Sequence, residues 1–167
     1  MVPRVGIEIV WSVFSYGLIM SGAFTALVVL QAVLGANNSV RDSSGRLALS
    51  AASPAAIVVF VGAFVLLIGA PVVANWHLGT TAAVSDTVLR YFWVGYGMVL
   101  VVNLWDLVVI DYFILLKLKP VWSRWIAVPQ TEYYTTFRPH LIGFVRGLVI
   151  GVVSSAFSAL VTSMFRF

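Results

Sequence analysis

The sequence lacks cysteine, and only 10% of its 167 residues are charged. Without thiols the chain forms no disulfide, no thiolate metal site and no cysteine nucleophile. Its two histidines, His77 and His140, fall on opposite sides of the predicted membrane topology, which excludes a multi-histidine metal centre or a two-histidine haem within one chain. The motifs G-x-S-x-G, GxxxxGK[ST] and H-E-x-x-H are also absent, so the common hydrolase, nucleotide-binding and zinc-protease signatures do not apply.

Apolar residues are abundant instead: 61% of the chain is hydrophobic and the mean hydropathy is +1.02. A soluble domain is about half apolar and about a quarter charged. Four runs are long enough to cross a hydrocarbon core of about 30 Å, which takes about 20 helical residues; they cover about 6–35, 52–75, 89–117 and 139–164. No run alternates with the period of a strand. The sequence therefore predicts an all-α integral membrane four-helix bundle, forming a single domain over 1–167.

Basic residues are distributed unevenly between the two sides of this bundle. The side that holds both termini has three, namely Arg4, Arg90 and Arg166, whereas the two longer loops have six, namely Arg41, Arg46, Lys117, Lys119, Arg124 and Arg138. The positive-inside rule then predicts cytoplasmic loops and extracytoplasmic termini. We attribute the net charge of +4 to such membrane anchors, so no nucleic acid is expected as a partner.

The fourth apolar run has a small residue at every fourth position: Gly143, Gly147, Gly151, Ser155, Ala159 and Ser163. Small residues four apart let two helices approach closely, which favours association in lipid. We expect this glycine stripe to pack against another helix of the same chain. Packing against the same helix of a second copy, giving a homo-oligomer, is the alternative.

Four ionisable side chains lie within or near the apolar runs: Glu8, Asp106, Asp111 and Arg146. A charge at the centre of a membrane helix costs about 2.5 to 3.5 kcal/mol on insertion scales, so such groups usually face the bundle interior and find a partner. On antiparallel helices Arg146 comes level with the two aspartates, and one guanidinium can bind two carboxylates. The sequence predicts a buried ion pair of Arg146 with Asp106 and Asp111.

Three interpretations of these charges stay open. They could only fix helix pairing, as in an accessory, structural or small-ligand-binding membrane subunit. They could form a catalytic or divalent-metal site from Asp106, Asp111, Glu132 and His140. The carboxylates could also relay protons or bind a cation in a carrier. The sequence decides neither whether the protein is an enzyme nor which cofactor it would use, and it assigns no metal.

A pattern across the C-terminal half consists of Asn103, Asp106, Asp111, Pro120, Pro129, Thr131, Glu132, His140, Phe144, Gly147 and Gly151. In these residues the chain resembles a group of small four-span bacterial membrane proteins that has no assigned biochemical role. The resemblance implies a bacterial cytoplasmic membrane and the four-helix plan, and it implies no reaction. Asn103 and the two aspartates also resemble the diphosphate-binding motif of membrane prenyltransferases, whose aspartates stand four apart whereas these stand five apart.

Overall fold

A computed structural model describes residues 4–33, 54–81, 87–118 and 136–165. These residues form four long helical segments: α1 (Arg4–Val33), α2 (Pro54–Thr81), α3 (Val88–Trp105) with a continuous π-helical segment (Asp106–Leu118), and α4 (Arg138–Met164). Each is long and apolar enough to cross a membrane, over Gly6–Leu30, Ile57–Leu78, Val88–Leu118 and Arg138–Met164. The predicted all-α four-helix membrane fold is confirmed, and the described residues contain no strand.

The outer surface of the bundle is apolar, and much of the buried space is filled by small or polar side chains. Trp11, Phe64 and Val153 are each about two-thirds exposed, at 65%, 66% and 66%. Buried side chains include Ser21 and Asn75. The exposed apolar side chains are unlike the surface of a water-soluble protein, and they fit a surrounding solvent of lipid chains.

Helix α1 packs against α3 through two reciprocal glycine contacts. A Cβ atom added to Gly17 would lie 2.7 Å from Cβ of Val101, and one added to Gly97 would lie 2.8 Å from Cγ1 of Val13. Each helix thus provides a glycine that accommodates a valine of the other. The close approach allows Nε1 of Trp105 on α3 to donate a hydrogen bond to the α1 residue Thr25, at 3.1 Å from its Oγ1.

Two interhelical hydrogen bonds connect α2 to its neighbours. Asn75 donates through Nδ2 to the carbonyl oxygen of Tyr91 on α3, at 3.1 Å. The Ser158 hydroxyl of α4 donates to the carbonyl oxygen of Ile68 at 3.0 Å, in the turn that precedes Pro71. Pro71 cannot donate to the carbonyl of Leu67, and the hydrogen bond from Ser158 to the adjacent carbonyl stabilises this interrupted turn in lipid.

Helix α4 lies antiparallel to α3 and contacts it through part of the small-residue stripe. The register pairs Asn103 with Gly147, Val99 with Gly151 and Gly95 with Ser155. A Cβ on Gly147 would overlap the side chain of Asn103, approaching its Nδ2 to 2.6 Å, so a larger residue there would force Asn103 to move. Gly143 differs, because it is exposed and a Cβ there would meet no atom within 4 Å. Among the described residues, Gly143 therefore does not pack against another helix of the same chain, and its packing against a second copy stays a prediction.

Candidate functional site

The two intramembrane aspartates lie on the π-helical segment, at its first and sixth residues. In an α-helix, residues five apart are rotated by about 140° from one another. A π-helix forms i→i+5 hydrogen bonds, so residues five apart lie one turn apart on nearly the same face. The segment's buried residues, Ile110 and Leu115, are also five apart. Asp106 and Asp111 therefore lie on nearly the same face of the segment, rather than spanning the broad sector that α-helical geometry predicts.

The inner end of that face is joined to α4 by a hydrogen bond between a carboxylate and an imidazole. Nδ1 of His140 donates to Oδ1 of Asp111 at 2.9 Å. The His140 side chain is 1% exposed and that of Asp111 is 18% exposed. Burial removes most competition from water, so this charge-assisted contact orients both side chains.

The predicted ion pair of Arg146 with the two aspartates is not present among the described residues. The side chain of Arg146 is exposed on the outer surface of α4. The reason is rotational: Gly147 faces α3, and the neighbouring residue in an α-helix is rotated by about 100°. His140 precedes Gly147 by seven residues, about two turns, so it faces α3 and binds the carboxylate instead.

Aromatic side chains cover the Asp111–His140 pair on one side. The ring of Phe137 lies 6.3 Å from that of His140, between centroids, and 6.1 Å from that of Tyr112. Nζ of Lys117 lies 5.5 Å from the centroid of the Tyr112 ring, a cation–π distance. The pair is thus bounded by an aromatic group near the end of the bundle where α4 begins.

Asn103 extends the polar face one turn deeper than Asp106. Its Nδ2 is buried and has no hydrogen-bond partner in the described structure. A buried donor without a partner costs about 1 to 3 kcal/mol, so an amide here is unfavourable for stability alone. Beyond it the α3 core is apolar, with Met98, Val99 and Val102 almost fully buried. The polar face therefore ends inside the bundle.

The other candidate residues are not brought into this arrangement. Glu132 lies outside the described residues, so its predicted place beside His140 stays a prediction. Glu8 is exposed on α1, near the end of the bundle opposite to Asp111. Where the structure describes the chain, no three His, Asp or Glu side chains are grouped to hold a metal ion.

Chemically, the site consists of the Asp111–His140 pair and a second carboxylate, Asp106, one turn away on the same π-helical segment. Among the described residues no lysine or arginine forms an ion pair with either carboxylate. Such a set can hold and transfer protons or attract a cation. Comparison of the chain with protein-family models, with curated proteins and with solved structures gives no match.

Two features of the site were missed from the sequence. The first is the π-helix, although the i, i+5 spacing of Asp106 and Asp111 is the spacing that such a helix aligns. The second is the Asp111–His140 hydrogen bond. The sequence did contain a signal for this hydrogen bond, because His140 shares a helical face with Gly147, whereas Arg146 does not.

Proposed function

We propose that this protein is a proton-coupled cation carrier in which Asp106, Asp111 and His140 exchange protons for a cation. The observation that carries the proposal is the buried 2.9 Å hydrogen bond between Asp111 and His140, with a second carboxylate on the same face. Chains of Asp, Glu and His side chains within membrane spans are typical of proton-linked transporters.

The charge balance of the site supports a cationic ligand. Arg146 is exposed and forms no ion pair with Asp106 or Asp111, so the negative charge of the two carboxylates has no fixed arginine counter-ion among the described residues. Charges within a membrane span cost about 2.5 to 3.5 kcal/mol each on insertion scales. A bound proton or monovalent cation reduces that cost. Because both compete for the same carboxylates, binding of the cation is coupled to release of the proton.

The length of the polar face supports a carrier rather than an open channel. Asp111 and His140 lie toward the end of the bundle where α4 begins, and the face stops at the apolar residues Val99 and Val102. Because these apolar residues close off the polar face inside the bundle, a cation bound at Asp106 needs a conformational change before it can leave toward the other side. Carriers work by such alternating access around a site within the membrane.

The direct test is proton release on cation binding. Purified protein in weakly buffered detergent with a pH-sensitive dye is titrated with the chlorides of Na⁺, K⁺, tetramethylammonium and Mg²⁺. At least one cation should release on the order of one proton per chain, since cation and proton compete for the carboxylates. Asp106→Asn and Asp111→Asn should abolish the release. Glu8→Gln, which removes an exposed carboxylate from α1, is the matched control and should leave it unchanged. Failure of all four cations to release protons would refute the proposal.

A second candidate is an accessory subunit of a membrane assembly, in which the same polar groups only fix helix positions. It is favoured by the interhelical hydrogen bonds from Trp105, Asn75 and Ser158, which use polar side chains solely as connections. On this alternative the wild type releases no proton with any cation, while Asp111→Asn still lowers the unfolding temperature in detergent. A homo-oligomer or a complex with other membrane subunits would then be its working form.

We further propose a bacterial cytoplasmic membrane as its location, with both termini extracytoplasmic. Support comes from the excess of lysine and arginine in the two longer loops and from the resemblance of residues 103 to 151 to four-span bacterial proteins. A fluorescent protein that matures only in the cytoplasm, fused after Phe167, should stay dark. Bright fluorescence would show that the C-terminus is cytoplasmic and that the proposed orientation is wrong.

A further inference from the structure

The exposed arginine of α4 lies at a depth where lipid chains normally surround a helix. Arg146 follows Arg138, at the start of α4, by eight residues, which corresponds to about 12 Å along the helix axis. The half-thickness of the hydrocarbon core is about 15 Å. Arg146 forms no hydrogen bond or ion pair with any described residue. An arginine in lipid requires an anionic or hydrogen-bonding partner, so that partner lies beyond the described helices.

The direction of the side chain indicates where that partner lies. Side chains of an α-helix lean toward the helix N-terminus. For Arg146 this direction leads toward the bilayer surface near Arg138, because α4 begins there. Its guanidinium is thus directed toward the phosphate layer of the nearer leaflet, and away from the membrane centre.

An apolar groove continues along the same face of α4, deeper in the bundle. It has a volume of about 350 Å³ and is lined by Phe64, Ile68, Val149, Ile150, Val153 and Phe157, together with Ser154. The Ser154 hydroxyl donates to the carbonyl oxygen of Gly151 at 3.3 Å, within its own helix. The surface presented by the groove is therefore suited to a hydrocarbon chain.

The arginine and the groove are aligned on one face. At 100° per residue, Ile150, Val153 and Phe157 lie within about 40° of Arg146 around α4, and Val149 lies within about 60°. Along the axis these residues follow Arg146 by about 4 to 17 Å, at 1.5 Å per residue. A cationic group near the phosphate layer followed by an apolar groove between two helices matches the two parts of one phospholipid.

We propose that Arg146 and the groove between α2 and α4 form a binding site for one anionic phospholipid. The guanidinium binds the phosphate through charge-assisted hydrogen bonds, and the end of one acyl chain enters the groove at Val149 and Ile150, about 17 to 18 Å from the start of α4 and thus near the membrane midplane. This site is independent of the proposed carrier function, because it uses the outer face of α4 and none of the residues around Asp111.

The test is native mass spectrometry of the full chain in detergent with phosphatidylglycerol or with phosphatidylcholine of the same acyl chains. The wild type should retain one phosphatidylglycerol about tenfold more tightly than one phosphatidylcholine, as expected for a charge-assisted hydrogen bond. Arg146→Gln should reduce this preference to about twofold or less. Arg138→Gln, with the same loss of charge at the start of α4, is the matched control and should keep most of the preference.

The groove is tested separately with Val153→Trp, which fills it from an exposed position. This variant should weaken the binding of both phospholipids, while Arg146→Gln weakens only that of phosphatidylglycerol. Inorganic phosphate should not compete, since it lacks the acyl chain, and a free fatty acid should compete weakly. An undiminished phosphatidylglycerol preference in Arg146→Gln would overturn the proposal. So would a wild-type dimer that Arg146→Gln dissociates, because a second copy would then occupy this face.

Discussion

The two faces of α4 differ in whether their polar side chains have a partner in the protein. On the inner face His140 is 1% exposed and binds Asp111 of the adjacent π-helical segment. On the outer face Arg146 is exposed and has no protein partner among the described residues. The two residues lie six positions apart on one helix. Rotation around the helix axis, and not depth in the membrane, therefore decides whether such a side chain finds a partner among the described residues.

The largest difference is expected between two glycines of the same stripe on α4, of which only Gly147 lies against α3. Gly147→Leu should lower the free energy of unfolding by about 3 kcal/mol, or prevent folding, because its side chain would overlap Asn103. Gly143→Leu, four residues away, should change it by less than about 0.5 kcal/mol, because a Cβ at that position meets no atom within 4 Å. Thermal unfolding in detergent measures both. Equal effects would show that α4 does not pack on α3 through Gly147.

The next largest effect concerns the pair Asp111–His140. Each of Asp111→Asn and His140→Gln should cost about 1.5 to 3 kcal/mol, since each leaves a buried polar partner poorly satisfied. The double variant should be less destabilised than the sum of the two, with a coupling energy of about 1 kcal/mol or more. Chemical denaturation of the four proteins gives this double-mutant cycle. Strict additivity would mean that the two side chains do not interact.

A smaller difference is expected between two serines of α4. Ser158→Ala removes the hydrogen bond to Ile68 of α2 and should cost about 0.6 to 1.7 kcal/mol. The Ser163 hydroxyl donates to the carbonyl oxygen of Leu160 within its own helix. Ser163→Ala should therefore change the unfolding temperature far less than Ser158→Ala does. A reversed order would contradict the orientation of α4 against α2.

The smallest effect on stability is expected at Arg146. In detergent without added lipid, Arg146→Gln should change the free energy of unfolding by less than about 0.5 kcal/mol, because the side chain is exposed and unpaired with described residues. The same unfolding measurement on His140→Gln, which loses a buried hydrogen bond, is the comparison. A loss at Arg146 as large as that of His140→Gln would indicate a protein partner, as the sequence predicted.

Much of the fold follows from the sequence, because lipid imposes simple rules on it. Apolar runs of about 20 residues must be helical to satisfy their backbone, and the four spans agree with those expected. The small residues of α4 also indicated a contact surface, and Gly147 and Gly151 do lie against α3. The exception is Gly143, which is exposed although it lies between the contact at Gly147 and the hydrogen bond of His140 to Asp111.

The site was less predictable because it depends on rotation and not on depth. Depth alone brings Arg146 near the level of the aspartates, and it gave the wrong pair. The π-helical segment has a smaller rotation per residue than an α-helix. Angles calculated for an α-helix therefore place Asp106 and Asp111 far apart around the axis, whereas the π-helix brings them to nearly the same face. Only the backbone hydrogen bonds of the folded chain reveal that change.

Proton-coupled cation transport is tested most directly by cation-driven proton movement in liposomes. Vesicles containing the protein are loaded at acidic pH with a dye that reports the pH gradient, and Na⁺, K⁺ or tetramethylammonium is then added outside. One of these cations should collapse the gradient in the wild type and in Glu8→Gln, and not in Asp111→Asn. A gradient that persists equally in all three proteins with every cation would contradict a proton-coupled role for Asp106, Asp111 and His140.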